Sequence, residues 1–309
     1  MRNDVQKWRK LGLVFCPTGD IPWMKTHASV PFAECLSGDL YKIYFSSRNT
    51  CDESSIGYVV IDLKSPTDVL DVSTTPVLEK GGLGAFDDSG CMGSCLVEHE
   101  GKKYLYYIGW NLGKTVPFRN SIGLAVSENG VDFKKAFLGP IIDRSKDEPY
   151  FTASNCVLIE NGIFKIWYLS CTGWKIIDGV ATHNYHIKYA ESNDGINWQR
   201  NGIVAIDYSS EYEYAISVPR VINDNGLYRM WFSSRGTKDV PTYRIRYAES
   251  TDGITWKRHD HLVDLDVSDD GWDSEMIEYP FVFDHGGKRY MLYNGNGYGK
   301  SGFGLAVLE

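Results

Sequence analysis

Carboxylates gather just ahead of what read as β-strands in four places: Phe86-Asp-Asp-Ser-Gly90, Asp147-Glu-Pro-Tyr-Phe-Thr152, Glu211-Tyr-Glu-Tyr-Ala-Ile-Ser217 and Trp272-Asp-Ser-Glu-Met-Ile-Glu278. A matching fifth segment, Lys25-Thr-His-Ala-Ser29, carries none. Making or cleaving a glycosidic bond requires one carboxyl group to exchange a proton with the bridging oxygen and a second to act as base or nucleophile. Crowding acids at one narrow mouth raises the pKa of some and leaves others ionised, which separates the two roles. Asp87, Glu213 and Glu278 are the catalytic candidates, because each lies at or just before a strand whose side chains reach a central axis.

Around these acids the ends of the following strands supply Arg48, Trp110, Asn111, Trp174, Arg235 and Asn294. Flat aromatics, amides and guanidinium groups beside carboxylates describe a carbohydrate-binding mouth. His27, Asp88, Arg220 and Glu275 complete the binding candidates. Each has a plainer reading. Asp88 beside Asp87 fits an Asx turn, and His27 is placed to hold a sugar hydroxyl or an anion but also fits a satisfied loop histidine. Arg220 lies within a strand, where a buried ion pair is the alternative. Arg48 and Arg235 end equivalent Ser-Ser-Arg strands, so a shared structural role competes with binding. Glu275 and Glu278 point to opposite faces of an extended segment; Glu278, in register with Ser29 and Ser217, is the one expected to line the pocket. His183 and His186 lack further ligands at metal-binding spacing, and no metal or cofactor is expected.

The elements that position these groups follow from a repeat. Tyr189-Ala-Glu-Ser-Asn-Asp-Gly-Ile-Asn-Trp198 returns as Tyr247-Ala-Glu-Ser-Thr-Asp-Gly-Ile-Thr-Trp256, with a looser copy at 124–133 and truncated ones at 56–60 and 303–307. Each copy is preceded by two strands joined through a Gly- or Asn-containing turn, and Asp-Gly leads into a fourth. Four antiparallel strands per unit describe a propeller blade. The last unit stops after its third strand, and Trp8-Arg-Lys-Leu-Gly-Leu-Val14 matches the missing fourth. The expected fold is all-β: one five-bladed β-propeller domain over 1–309, with blades at about 27–80, 86–140, 150–207, 213–265, and 275–309 plus 7–15. The Asp-Gly hairpins then fall on the face opposite the acids, where Asp194 and Asp252 read as turn formers and Trp198 and Trp256 as packing.

Composition narrows the partners. A net charge of −8 disfavours nucleic acid, and no apolar run reaches the ~20 residues of a membrane span. Seven cysteines without metal spacing, and an opening segment without a signal-type apolar stretch, fit a cytoplasmic protein. A carbohydrate or other sugar-containing small molecule is the expected partner.

Taken together, the short blades, the acids before the innermost strands and the Tyr-Ala-Glu-Ser-x-Asp-Gly-Ile-x-Trp hairpins resemble the five-bladed propeller glycosidase superfamily. That group comprises glycoside hydrolase families 32, 43, 62 and 68, arabinanase-, levansucrase- and invertase-like, together with the family 130 phosphorylases. The chain is also similar to propeller proteins of polysaccharide-biosynthesis clusters, through the segments 271–280 and 293–299. The resemblance implies a carbohydrate-active enzyme acting on a glycosidic bond in the manner of a hydrolase. It also implies an Asp in the first blade just before a Pro, where this chain has Ser29-Val-Pro31. Phosphorylase or transferase chemistry, which keeps the acid and replaces the base by phosphate or an acceptor, accommodates that departure. A non-catalytic sugar-binding propeller is the further alternative.

Overall fold

A computed structural model describes residues 5–309 and is almost entirely β. After β1 (Gln6–Phe15), an antiparallel meander runs through β2 (Thr26–Ser37), β3 (Leu40–Arg48), β4 (Ser54–Asp62) and β5 (Ser65–Val72). The next consists of β6 (Gly90–His99), β7 (Lys102–Leu112), β8 (Phe118–Ser127) and β9 (Lys134–Lys135). It is followed by β10 (Thr152–Glu160), β11 (Ile163–Ile177), β12 (Val180–Ser192) and β13 (Gln199–Ile206). Then come β14 (Ala215–Asp224), β15 (Leu227–Arg235), β16 (Arg244–Ser250) and β17 (Lys257–Arg258). The short β18 (Val263–Asp264) lies parallel to β1, before β19 (Glu278–His285), β20 (Lys288–Asn294) and β21 (Phe303–Leu308). The outer partner of β21 is β1, so the N-terminal strand completes the C-terminal meander.

Meanders stack face to face, which explains why the second strand of each is apolar on both sides. Every residue from Tyr41 to Ser47 of β3 is buried, whereas the outer β5 buries none of its residues fully. Trp167 of β11 and Trp231 of β15 are both fully buried between neighbouring sheets.

The innermost strands are joined by a particular set of bonds. The Gly93 N–H donates to Ser46 Oγ at 3.0 Å, that of Asn155 to Ser94 Oγ at 2.7 Å, that of Val218 to Ser154 Oγ at 3.0 Å, and that of Tyr279 to Ser233 Oγ at 2.7 Å. The Val30 N–H donates to Asn294 Oδ1 at 2.8 Å, bringing the sequence of bonds back to the first meander. Each satisfies a buried donor that a ladder bond has abandoned. Val30, Val218 and Tyr279 have left-handed φ of 54°, 47° and 56° and each precedes a proline. For β-branched valine this is strained backbone that its surroundings must hold in place. The register slips at the same points, between Ser29 and Phe32, Ser217 and Arg220, and Glu278 and Phe281. Such bulges re-aim side chains, here those of Ser29, Ser217 and Glu278.

The docking of β1 beside β21 is testable at Trp8, which is buried and meets Trp231 edge-on with ring centroids 6.3 Å apart. Trp8→Ala is expected to lower the unfolding free energy by about 3–5 kcal/mol in urea denaturation. A loss below ~1 kcal/mol would mean that β1 contributes little to holding the sheets together.

Candidate functional site

Glu278 opens β19 at its bulge and is 0% exposed. Neither carboxyl oxygen has a hydrogen-bond partner among the described residues. Burial therefore pushes its pKa well above the ordinary carboxylate value, and the nearby Arg235 guanidinium and Tyr298 N–H offset this only in part. Burial thus favours the protonated form of Glu278. Tyr185 and Tyr243 hydrogen-bond to each other through their hydroxyls close by, and burial pushes Tyr185 up to about 12.

Arg235, at the end of β15, stands over the rings of Tyr243, Tyr214 and Tyr298 at 4.8, 5.2 and 5.7 Å. Its Nη1 donates to Tyr298 Oη at 2.6 Å, and Nη2 faces His183 Nε2 at 3.5 Å. Burial, with the Arg235 charge, lowers His183 to about 4, so its imidazole is neutral. His183 in turn stacks on Tyr185 and meets the edge of Trp174. Tyr298, whose backbone N–H lies near Glu278, belongs to the helical turn α1 (Asn296–Gly299), where Gly297 and Tyr298 are both left-handed. His27 and Arg48 lie on the first meander's side of the mouth. Burial, then Arg48, lowers His27 to about 4. Arg48 reaches Asp52 at 3.4 Å and sits 6.0 Å over the Trp110 ring.

The structure does not bring Asp87 and Glu213 together with Glu278, because both carboxylates are closed within their own meanders. Asp87 Oδ2 accepts from Tyr107 Oη at 3.1 Å and Lys135 Nζ at 2.5 Å. Glu213 accepts from both Arg258 Nη atoms at 2.7 and 2.9 Å and from the Ser209 N–H at 2.6 Å. Burial alone would raise its carboxyl, but the Arg258 pair outweighs it and holds the group at about 2. Glu148 repeats the arrangement with Tyr168 and Arg200, and Asp273 with Tyr293 and Lys10. These are fixtures binding the fourth strand to the lead-in of the first. Their sequence signal is an aromatic-x-basic triplet in each fourth strand, Phe133-Lys134-Lys135, Trp198-Gln199-Arg200, Trp256-Lys257-Arg258 and Trp8-Arg9-Lys10.

Other candidates also find structural partners. Asn294 is fully buried and spends its amide on Val30, Ala28 and Gly302, which leaves nothing for a ligand. Asp88 accepts from the Gly84 N–H and from Ser89 as a turn former. Arg220 lies in the channel wall, bonded to the Val282 carbonyl and stacked 4.1 Å over Phe281. Only about 10 Å³ of the channel is free there, among residues that include Pro31, Cys95 and Cys156. Glu275 is exposed, with its backbone N–H bonded to Asn296. Asn111 is half-buried at the rim. A cavity of about 470 Å³ lies on the opposite face beside Asp194, whose carboxylate is taken up by the turn N–H groups of Ile196 and Asn197.

No family model matches the chain. It is 44% identical over 302 residues to "Uncharacterized protein Rv1502" of Mycobacterium tuberculosis (strain ATCC 25618 / H37Rv), covering 98% of this chain and 99% of that one. It is 28% identical over 141 residues to a 1,2-beta-oligomannan phosphorylase of Thermoanaerobacter sp. (strain X514), a match covering 44% of this chain and 46% of the relative. Among solved structures, a thermostable family-43 glycoside hydrolase superposes with a TM-score of 0.68 at 19% identity, over 92% of this chain and 88% of that one. At such identity the likeness is one of fold.

Glu213 and Glu278 have opposite linkage to pH. Glu213 titrates at about 2 when folded and near ~4.3 when unfolded, so its contribution is present above ~4.3 and lost as pH falls through 2. Glu278 is raised on folding; its contribution is present below ~4.3 and fades as pH rises toward the folded value. At pH 7 Glu213→Gln is expected to cost roughly 3 kcal/mol, since Arg258 loses a buried partner, while Glu278→Gln leaves stability unchanged or higher. Urea denaturation at pH 5 and 7 checks both, and equal losses for the two variants would make Glu278 an ordinary ionised acid.

Proposed function

We propose that the chain is a carbohydrate-active enzyme of the propeller-fold glycosidase superfamily that breaks a glycosidic bond, with Glu278 as the proton donor. The likeness in fold to glycoside hydrolases and the half-length similarity to mannoside phosphorylases support this reading. The observation that carries this reading is the fully buried carboxyl group of Glu278, both oxygens unpartnered among the described residues, at the bulge of an innermost strand. A general acid must hold its proton at working pH, and burial supplies that condition. In the reaction the Glu278 proton passes to the bridging oxygen, the bond from that oxygen to the anomeric carbon breaks, and an incoming oxygen nucleophile takes its place. Substrate reaches Glu278 by displacing the Tyr298 turn, whose side chain is 43% exposed. The reading includes five four-stranded blades in one domain, supported by the strand pairings and by the bonds that lead from Ser46 round to Val30. A cytoplasmic setting also belongs to it, supported by seven cysteines without a disulfide.

One observation favours phosphorolysis over hydrolysis. Four acids leading into the innermost strands, Asp87, Glu148, Glu213 and Asp273, are closed in ion pairs, so these four are not free to activate water. An external phosphate needs no such base. The half-length similarity to phosphorylases points the same way.

Oligosaccharides and aryl glycosides incubated with and without inorganic phosphate, with detection of free sugar and sugar 1-phosphate, test the reading. Glu278→Gln is expected to lower kcat by ~10²–10⁴-fold. Undiminished turnover in that variant would remove Glu278 from the chemistry.

A further inference from the structure

Several buried arginines of the molecule are balanced by acids. Arg258 is paired with Glu213 and Asp260, Arg289 with Asp224 and Asp284, and Arg200 with Glu148. Among the described residues Arg235 has no acid bonded to it, and its hydrogen-bonding neighbours are the Tyr298 hydroxyl and the His183 ring. Unlike Arg220, whose Nε–H is taken by the Val282 carbonyl, it also keeps a buried Nε–H without an acceptor. Burial keeps His183 and Tyr243 in their neutral forms. Glu278, the nearby acid, is pushed toward its protonated form by burial and likewise has two unpartnered oxygens. Arg235 and Glu278 thus leave three buried polar atoms without a partner, one of them on a cation with no acid bonded to it. A guanidinium withdrawn from water without a counter-charge is costly, and an arriving anion relieves that cost.

We infer that Arg235 is the binding site for an oxyanion carried by the sugar, a carboxylate being the group its geometry fits best. Stacking on tyrosine faces fixes the plane of the guanidinium and leaves its edge for a flat, bidentate acceptor. The carboxylate takes Nε–H and the Nη2 donor on the same edge of the guanidinium, which now faces His183 Nε2 at 3.5 Å, while Nη1 stays bonded to Tyr298 Oη. The inference rests on the glycosidase reading only for the ligand being a sugar.

Calorimetric titration of the full chain with sodium galacturonate, sodium glucuronate, the neutral sugars galactose and glucose, and inorganic phosphate tests it. The uronates are expected to bind at least ~10-fold more tightly than their neutral counterparts. Arg235→Gln abolishes that preference and Arg235→Lys keeps part of it, in variants whose circular dichroism and Tm show them folded. Equal affinity for acidic and neutral sugars, no uronate binding, or a preference that survives Arg235→Gln overturns the inference. Binding of phosphate alone moves the oxyanion off the sugar and overturns it too. Uronate binding without cleavage of any glycoside upholds the anion site while removing the catalytic reading.

Discussion

A set of backbone N–H groups on the innermost strands, each accepted by a serine or asparagine of the preceding meander, is the constraint on which the rest of this structure depends. Without Ser46, Ser94, Ser154, Ser233 and Asn294 in those places, the donors at the bulges would be buried and unsatisfied. With them, valine and tyrosine are held at left-handed φ before a proline. The strand register slips there and the side chain one position earlier turns toward the mouth. Ser29 and Ser217 occupy that position in two meanders and Glu278 in a third. The acid is thus aimed by backbone geometry that the fold already needs.

A second repeated device decides which carboxylates remain for chemistry. In four meanders an acid leading into the innermost strand is closed by a lysine or arginine of the fourth strand, and in three of these a tyrosine hydroxyl joins it. The exception in ring type is instructive, because Phe232 stands in the tyrosine's place and Arg258 lies 5.1 Å over its face. In the first meander Phe45 takes the ring position and packs on Phe15 and Trp23 in place of any charge. Charge is committed to structure throughout these fixtures. Glu278 stands outside them, buried and without a bonding partner among the described residues, and Arg235 stands outside the ion pairs that hold Arg200, Arg258 and Arg289.

Much of this was legible in the sequence because repeats report geometry directly. The equivalence of Ser29, Ser217 and Glu278, and the pairing of 8–14 with the last strand, follow from aligned patterns, and the strand pairings agree. The partners of the acids were harder to read, since Asp87 meets Lys135 and Glu213 meets Arg258 across a whole meander. An acid viewed alone looks catalytic, and only the aromatic-x-basic triplets mark it as paired. Asn294 was misleading for a similar reason: a polar residue at a strand end resembles a ligand contact until the backbone groups that need it are in view. The tyrosine cluster had a signal as well, because Tyr185 and Tyr243 occupy matching places before Tyr189 and Tyr247 in the duplicated hairpin. Their meeting with Tyr298 joins separate meanders, and no local pattern encodes that.

The central claim is that Glu278 is a buried carboxylic acid whose burial keeps its proton in place at neutral pH. Infrared difference spectroscopy between the wild type and Glu278→Gln, recorded across pH 4 to 8, measures this directly. The account requires a protonated-carboxyl C=O band that is absent from the variant and persists in the wild type at pH 7. A carboxylate signal that titrates near ~4.3, as for an exposed glutamate, would contradict it.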